Sequence, residues 1–195
     1  MVHLHQFRSW VVLAMAIGYV SITSTASALV NAGVEAGLVK RTAPAPDNMN
    51  VGFGYGAHAE LTFESTFAIG AYYLHSTHAG AGSPSEVDSH SMFDTLGARG
   101  RLILPMPGRT QPYVLVGIGH NWVTYGSRIA PDVKGSSWEV PIGLGFAHRI
   151  LGIFQLSLEG AYRPSFSFSG HAYNDTAIRE PTGGWSLTAG ISLDL

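Results

Sequence analysis

Val51-Gly-Phe53-Gly-Tyr55-Gly-Ala57-His58-Ala59-Glu60-Leu61-Thr62-Phe63 decides the fold. Val51, Phe53, Tyr55, Ala57, Ala59, Leu61 and Phe63 share one parity, and Gly52, Gly54, Gly56, His58, Glu60 and Thr62 share the other. A strict period of two is the mark of a strand with two unlike faces. The same alternation recurs over 30–38, 67–73, 95–104, 114–122, 138–147, 154–163 and 185–195. The total is eight strands, an even number. The connections at 64–65, 105–112 and 149–153 are short. Those at 41–48, 76–91, 126–136 and 169–183 are longer and rich in Gly, Pro, Ser, Asp and His. An antiparallel up-and-down meander with short turns at one end and long loops at the other is the layout of a transmembrane β-barrel. An even strand count brings both chain ends to the short-turn side, the expected periplasmic side.

Composition agrees with this class. The 195 residues are 46% hydrophobic and only 12% charged, with 24 Gly. A soluble domain carries about a quarter charged residues. Eleven Lys+Arg against 13 Asp+Glu leave a net charge of −2, which is no footprint for nucleic acid. The absence of Cys excludes a disulfide scaffold, a thiolate zinc site and a cysteine nucleophile. At the start of the chain, Arg8 precedes the apolar run 10–20, and Ala26-Ser27-Ala28 closes a polar stretch. This is the pattern of a secretory signal peptide, and the run is too short for the ~20 residues of a spanning helix. Residues 1–28 are therefore expected to be a cleaved signal peptide, and 29–195 the barrel domain.

Alternation alone does not say which parity faces outward. The polar parity is mostly Gly, Ser and Thr, a poor water-facing surface but a suitable lining for a narrow eight-stranded tube. Glu35, Glu60, Arg99, Arg101, Glu139, Glu159 and Arg163 all fall on it. An Arg facing lipid at the bilayer midplane costs about 2–4 kcal/mol, so these charges are expected inside as a paired network that plugs the lumen. Aromatic residues gather at the strand ends. Tyr55, Tyr73, Phe93, Trp122, Tyr125, Trp138, Tyr162 and Trp185 lie toward the long loops, and Phe63, Phe67, Tyr113, Phe146 and Phe154 toward the short turns. They are expected to form two interfacial girdles. Pro141 and Pro164 each remove a ladder donor near the loop end of adjacent strands, and a bulge is expected there.

On these features the chain resembles the small outer-membrane barrels of Gram-negative bacteria, the OmpA-like transmembrane domain and the OmpX-like group. The resemblance covers residues 29–195. Thr188-Ala-Gly190-Ile-Ser-Leu193-Asp-Leu195 is similar to the terminal assembly signal of that class, polar-x-Gly-x-x-apolar-x-aromatic, with Leu195 in place of the aromatic. The resemblance implies a Gram-negative outer-membrane location, outer-membrane lipid as surroundings and the barrel-assembly machinery as a partner of Thr188–Leu195. Some barrels of this kind are lipid A deacylases or palmitoyltransferases that use Ser, His and an acid. Leu74-His75-Ser76-Thr77-His78 departs from the deacylase His-x-Ser-Asn peptide, because the Ser adjoins His75 and no Asn follows. His75-x-x-His78 is the closest approach to metal-ligand spacing, and neither metal nor cofactor is expected. Lys40, Arg41, Arg128, Lys134 and Arg179 at the rim are candidate donors to lipopolysaccharide phosphates.

The expected function is that of a non-enzymatic integral outer-membrane barrel with a structural or surface-interaction role, its long loops meeting a surface or host ligand. The alternatives are a lipid A-modifying enzyme of deacylase or acyltransferase type and an OmpW-like conduit for small apolar ligands.

Overall fold

A computed structural model describes residues 28–41, 51–79, 90–127, 130–170 and 183–195. Most of the expected signal peptide, 1–27, lies outside them. The described chain is all β: β1 (Ala28–Arg41), β2 (Gly52–Phe63), β3 (Phe67–Ala79), β4 (His90–Ile103), β5 (Thr110–Ser127), β6 (Ala130–Glu139), β7 (Ile142–Leu151), β8 (Phe154–Tyr162), β9 (Ser165–Gly170) and β10 (Gly184–Asp194). Every ladder is antiparallel. The order β4-β3-β2-β1-β10-β8-β7-β5 closes on itself through β4–β5. Closure gives each of these eight segments two neighbours, which is what backbone N–H and C=O groups need in hydrocarbon.

The ten segments amount to eight strands. β6 and β7 are one strand interrupted at Val140-Pro141, and β8 and β9 are one strand interrupted at Arg163-Pro164. The interruptions lie side by side, and neither shifts the register. Gly119 pairs with Glu139 above the break, and Val116 with Ile142 below it. Neighbouring donors bridge the gaps, with Gly117 N bonding Pro141 O at 2.9 Å and Val140 N bonding Pro164 O at 3.0 Å. The expected bulge is present but displaced from the prolines. Between the pairs Trp138↔Phe166 and Ser136↔Ser169 one extra residue enters β9, and Ser167 there adopts a φ of 52°.

The β2–β3 connection is a three-residue turn over 64–66, with Glu64 and Ser65 at φ 49° and 56°. Thr66 N closes it onto Phe63 O at 3.0 Å. Positive φ at both central positions matches the right-handed twist of the flanking strands. Leu195 N and Val30 O bond at 2.7 Å, so the C-terminal end meets β1 at this same short-turn side.

At the opposite end the strands run further than the sequence pattern suggests. β6 begins at Ala130 and pairs with β5 up to Ser127, inside the stretch 126–136 read as loop. Beyond a membrane the outward parity no longer has to be apolar, so these strand ends lose the alternation that marks the rest.

Candidate functional site

The wall sorts side chains by parity. Val34, Ile118, Leu144, Phe146 and Leu158 face outward, Leu144 with 66% of its surface accessible. The inward parity holds polar groups in two tiers across the tube. Small residues create their space. A Cβ on Gly97 would lie 2.7 Å from the Tyr72 ring, and one on Gly119 would lie 2.5 Å from its hydroxyl. A Cβ on Gly145 would overlap the Tyr113 ring.

In the tier nearer the short turns, Arg99 Nε bonds Glu60 Oε1 at 2.6 Å, and Arg101 pairs with the other oxygen of Glu60. Arg99 Nη1 also lies 3.6 Å from Glu159 and 3.9 Å from Glu35. Tyr113 donates to Glu159 at 3.1 Å, Thr188 donates to Glu35 at 3.1 Å, and the Arg101 guanidinium sits over the Tyr113 ring at 5.0 Å. In the tier nearer the loops, Glu139 receives Arg41 and Arg163, each at 2.6 Å on a different oxygen. Tyr72 donates to Glu139 at 3.3 Å, and Arg163 Nε bonds Ser186 at 3.0 Å. Arg41 stacks on Phe93 and reaches Thr95, which continues through Asn121 to Ser137.

All seven ionic residues assigned inward from the sequence are buried in these tiers. The eighth member is Arg41, and here the rim assignment is corrected. Its side chain is 1% exposed and tied to Glu139, so it has no face left for lipopolysaccharide. With it the two tiers hold four guanidinium groups against four carboxylates. Two aromatic residues placed in the girdles also point inward: Phe93, under Arg41, and Tyr113, beside Arg101 and Glu159.

Below the lower tier a cavity of about 250 Å³ opens toward the short turns. Asn31, Arg101, Tyr113, Gln155 and Asp194 are among its lining residues. Asn31 donates to Asp194 at 2.7 Å, and Arg149 bonds the other Asp194 oxygen at 2.8 Å.

On the outer wall, Tyr55, Trp122, Trp138, Tyr162 and Trp185 are exposed toward the loop end. Tyr73 is outward but half-buried, and its hydroxyl donates to Asp94 Oδ1 at 2.5 Å. Only the backbone of Tyr125 is described, in a pair with Ser91. Lys134 is exposed, and Lys40 lies beside Trp185 across the β1–β10 ladder. Arg128 and Arg179 lie outside the described residues. His120, on the same parity, packs edge-on against Trp122 and Trp138 with ring centroids 4.6 and 5.0 Å away.

The sequence reading missed one outward group, a polar knot of Tyr73, His75 and Asp94. Asp94 Oδ1 also meets His75 Nδ1 at 2.9 Å. The signal was present in the register, since an Asp on the apolar parity of β4 falls opposite a His on that of β3. His75 and Ser76 point to opposite faces, Ser76 being fully buried inside, so they cannot act as base and nucleophile on one substrate. Ser76 meets His78 instead, at 3.1 Å within the lumen. His75 and His78 are likewise on opposite faces and cannot chelate one metal.

This geometry matches solved structures of membrane barrels. Neisserial surface protein A superposes with a TM-score of 0.66 at 14% identity, over 85% of this chain and 97% of that one. The fold is that of the small outer-membrane β-barrels. A major outer membrane protein from Thermus thermophilus gives 0.56 at 12% identity, over 85% of this chain and 99% of that one. Ail, the attachment invasion locus protein of Yersinia pestis, in complex with the heparin analogue sucrose octasulfate, gives 0.52 at 13% identity, over 85% and 98%. No family model and no curated protein matches the sequence.

Proposed function

We propose that the protein is a non-enzymatic integral barrel of the Gram-negative outer membrane, with its termini periplasmic, its lumen closed by the two ionic tiers, and a structural or surface-interaction role at the loop end. The observation that carries this reading is the inversion of the wall: large apolar side chains face out, and eight ionic groups lie inside. Water would favour the reverse arrangement, and lipid favours this one. Exposed Lys134 and half-buried Lys40 are the donors for lipopolysaccharide phosphates, and Thr188–Leu195 is the segment offered to the barrel-assembly machinery. Ail, a barrel of the same fold, is an attachment protein by name, which supports a surface-contact role for the loop end here.

The test is twofold. The full chain is expressed, and the outer-membrane fraction is run boiled and unboiled on SDS gels. An unboiled species of different apparent size is expected, and its absence overturns the barrel reading. The purified protein is then recorded in a planar bilayer. Silence or brief small events are expected, and a large stable conductance overturns the closed lumen.

A further inference from the structure

At the short-turn end the outer wall carries a polar pair among apolar neighbours. Thr110 and His148 are partners across the β5–β7 ladder, and both are exposed on the outward parity. One row toward the middle stand Pro112 and Phe146, then Val114 and Leu144. On the other flank His148 meets Leu156 of β8, which is also exposed. Thr110 is the first residue of β5, and His148 lies three positions before the end of β7. The pair therefore sits at the margin of the apolar wall. A polar group among acyl chains is costly without a partner, whereas the headgroup level supplies one.

Three features make this pair a donor site. The first is its hydrogen bond, with Thr110 Oγ1 and His148 Nδ1 2.8 Å apart. A hydroxyl either donates or accepts, so an acceptor at Nε2 selects the tautomer protonated there at no loss of the Thr110 bond. In a protonated ring the hydroxyl accepts and Nε2 again carries a proton. Nε2 makes no bond among the described residues. The second feature is Arg109, adjoining Thr110 in the chain. It is exposed, with no ion pair among the described residues. Its carbonyl accepts from Arg149 N at 2.9 Å, which fixes its backbone next to the Thr110–His148 row. The third is that the nearby acids are spent. Asp194 receives Arg149 at 2.8 Å on one oxygen and Asn31 at 2.7 Å on the other. Exposed Glu64 belongs to the β2–β3 connection, and β3 and β4 separate it from β5 in the closed order. The row thus offers donors and positive charge, with no uncommitted side-chain carboxylate beside it among the described residues.

We propose that Arg109 and His148 bind the phosphate of an anionic phospholipid in the leaflet at the short-turn end, one oxygen on Nε2–H of His148 and another on the Arg109 guanidinium. Guanidinium–phosphate hydrogen bonds are among the strong, charge-assisted ones. The acyl chains then run along exposed Phe146, Leu144 and Leu158. An ammonium headgroup would meet Arg109 and Arg149 with no free carboxylate, so the site selects phosphatidylglycerol over phosphatidylethanolamine. The proposal rests on the membrane reading above, because only that reading puts lipid against this wall. It is separate from the phosphate contacts assigned to Lys40 and Lys134 at the loop end.

The test uses the full chain in nanodiscs made from equal parts phosphatidylglycerol and phosphatidylethanolamine. Lipids retained on release into detergent are counted by native mass spectrometry. The wild type is expected to retain phosphatidylglycerol several-fold over phosphatidylethanolamine. His148→Phe and Arg109→Gln together are expected to remove one phosphatidylglycerol per barrel, and each change alone to lower its occupancy several-fold. His120→Phe, which deletes an outward imidazole toward the loop end, is expected to leave the count unchanged. Gel mobility of unboiled samples checks that each variant is folded. A wild type with no preference, or with the reverse one, overturns the proposal. So does an unchanged count in the double variant, which assigns the retained lipid to other cations, and so does a loss in His120→Phe equal to that in His148→Phe. Loss of heat-modifiable mobility in the wild type overturns the membrane reading instead.

Discussion

Arg41 and Glu139 are joined across the interior of the tube, Nη1 to Oε2 at 2.6 Å, although 98 positions separate them in the chain. Their strands, β1 and β6, are not ladder neighbours. Arg163 holds the second oxygen of the same carboxylate. One buried carboxylate thus ties together two guanidinium groups from different strands, one on each of its oxygens. The net stabilisation from such a buried cluster is small against an apolar filling, but removing one partner is costly.

Glu139→Gln leaves Arg41 and Arg163 facing each other without the carboxylate. A loss of about 3–5 kcal/mol is expected, measured by reversible urea unfolding in lipid vesicles. A change below ~1 kcal/mol would show that the pair contributes little to stability.

Gly145→Ala is expected to destabilise the barrel by about 1–3 kcal/mol, the usual cost of overpacking, because the added methyl overlaps the Tyr113 ring. Tyr113→Leu in the same chain should recover part of that loss. Additive effects of the two changes in the same unfolding assay would mean that the ring does not depend on the space over Gly145.

Ile118 faces outward halfway between the two ends of the wall. Ile118→Arg is expected to cost about 2–4 kcal/mol in lipid vesicles, and Ile118→Val much less. A neutral Ile118→Arg would contradict a lipid-facing exterior.

Ser76→Ala is expected to leave the acyl pattern of lipid A in expressing cells unchanged, since Ser76 is sealed in the lumen away from His75. Mass spectrometry of lipid A with and without the substitution checks this. An acyl change that depends on Ser76 would restore the enzyme reading.

Much of this was legible in the alternation at 51–63 and its repeats, because a wall with lipid on one side and a packed lumen on the other imposes a period of two. The strand interruptions were legible as Pro141 and Pro164. Arg41 was not. It follows Val39, a buried apolar residue on the inward parity, which breaks the alternation and makes the strand look finished at Leu38. Phe93 and Tyr113 were misplaced for the related reason that a lumen filled by packing also accepts large rings over glycines. Ser167 carries no composition signal for its bulge, since its backbone follows from the pairing of β6 with β9. The Tyr73–His75–Asp94 knot joins residues on two strands, so it emerged only once the register was fixed.

The adjacent prolines divide the barrel into two mechanical zones. Below Val140-Pro141 and Arg163-Pro164 the hoop of hydrogen bonds is complete, whereas above them, among the described residues, β9 pairs with β6 alone. Amide protons of Ser136 and Trp138 should therefore trade with deuterated solvent sooner than those of Leu144 and Leu158.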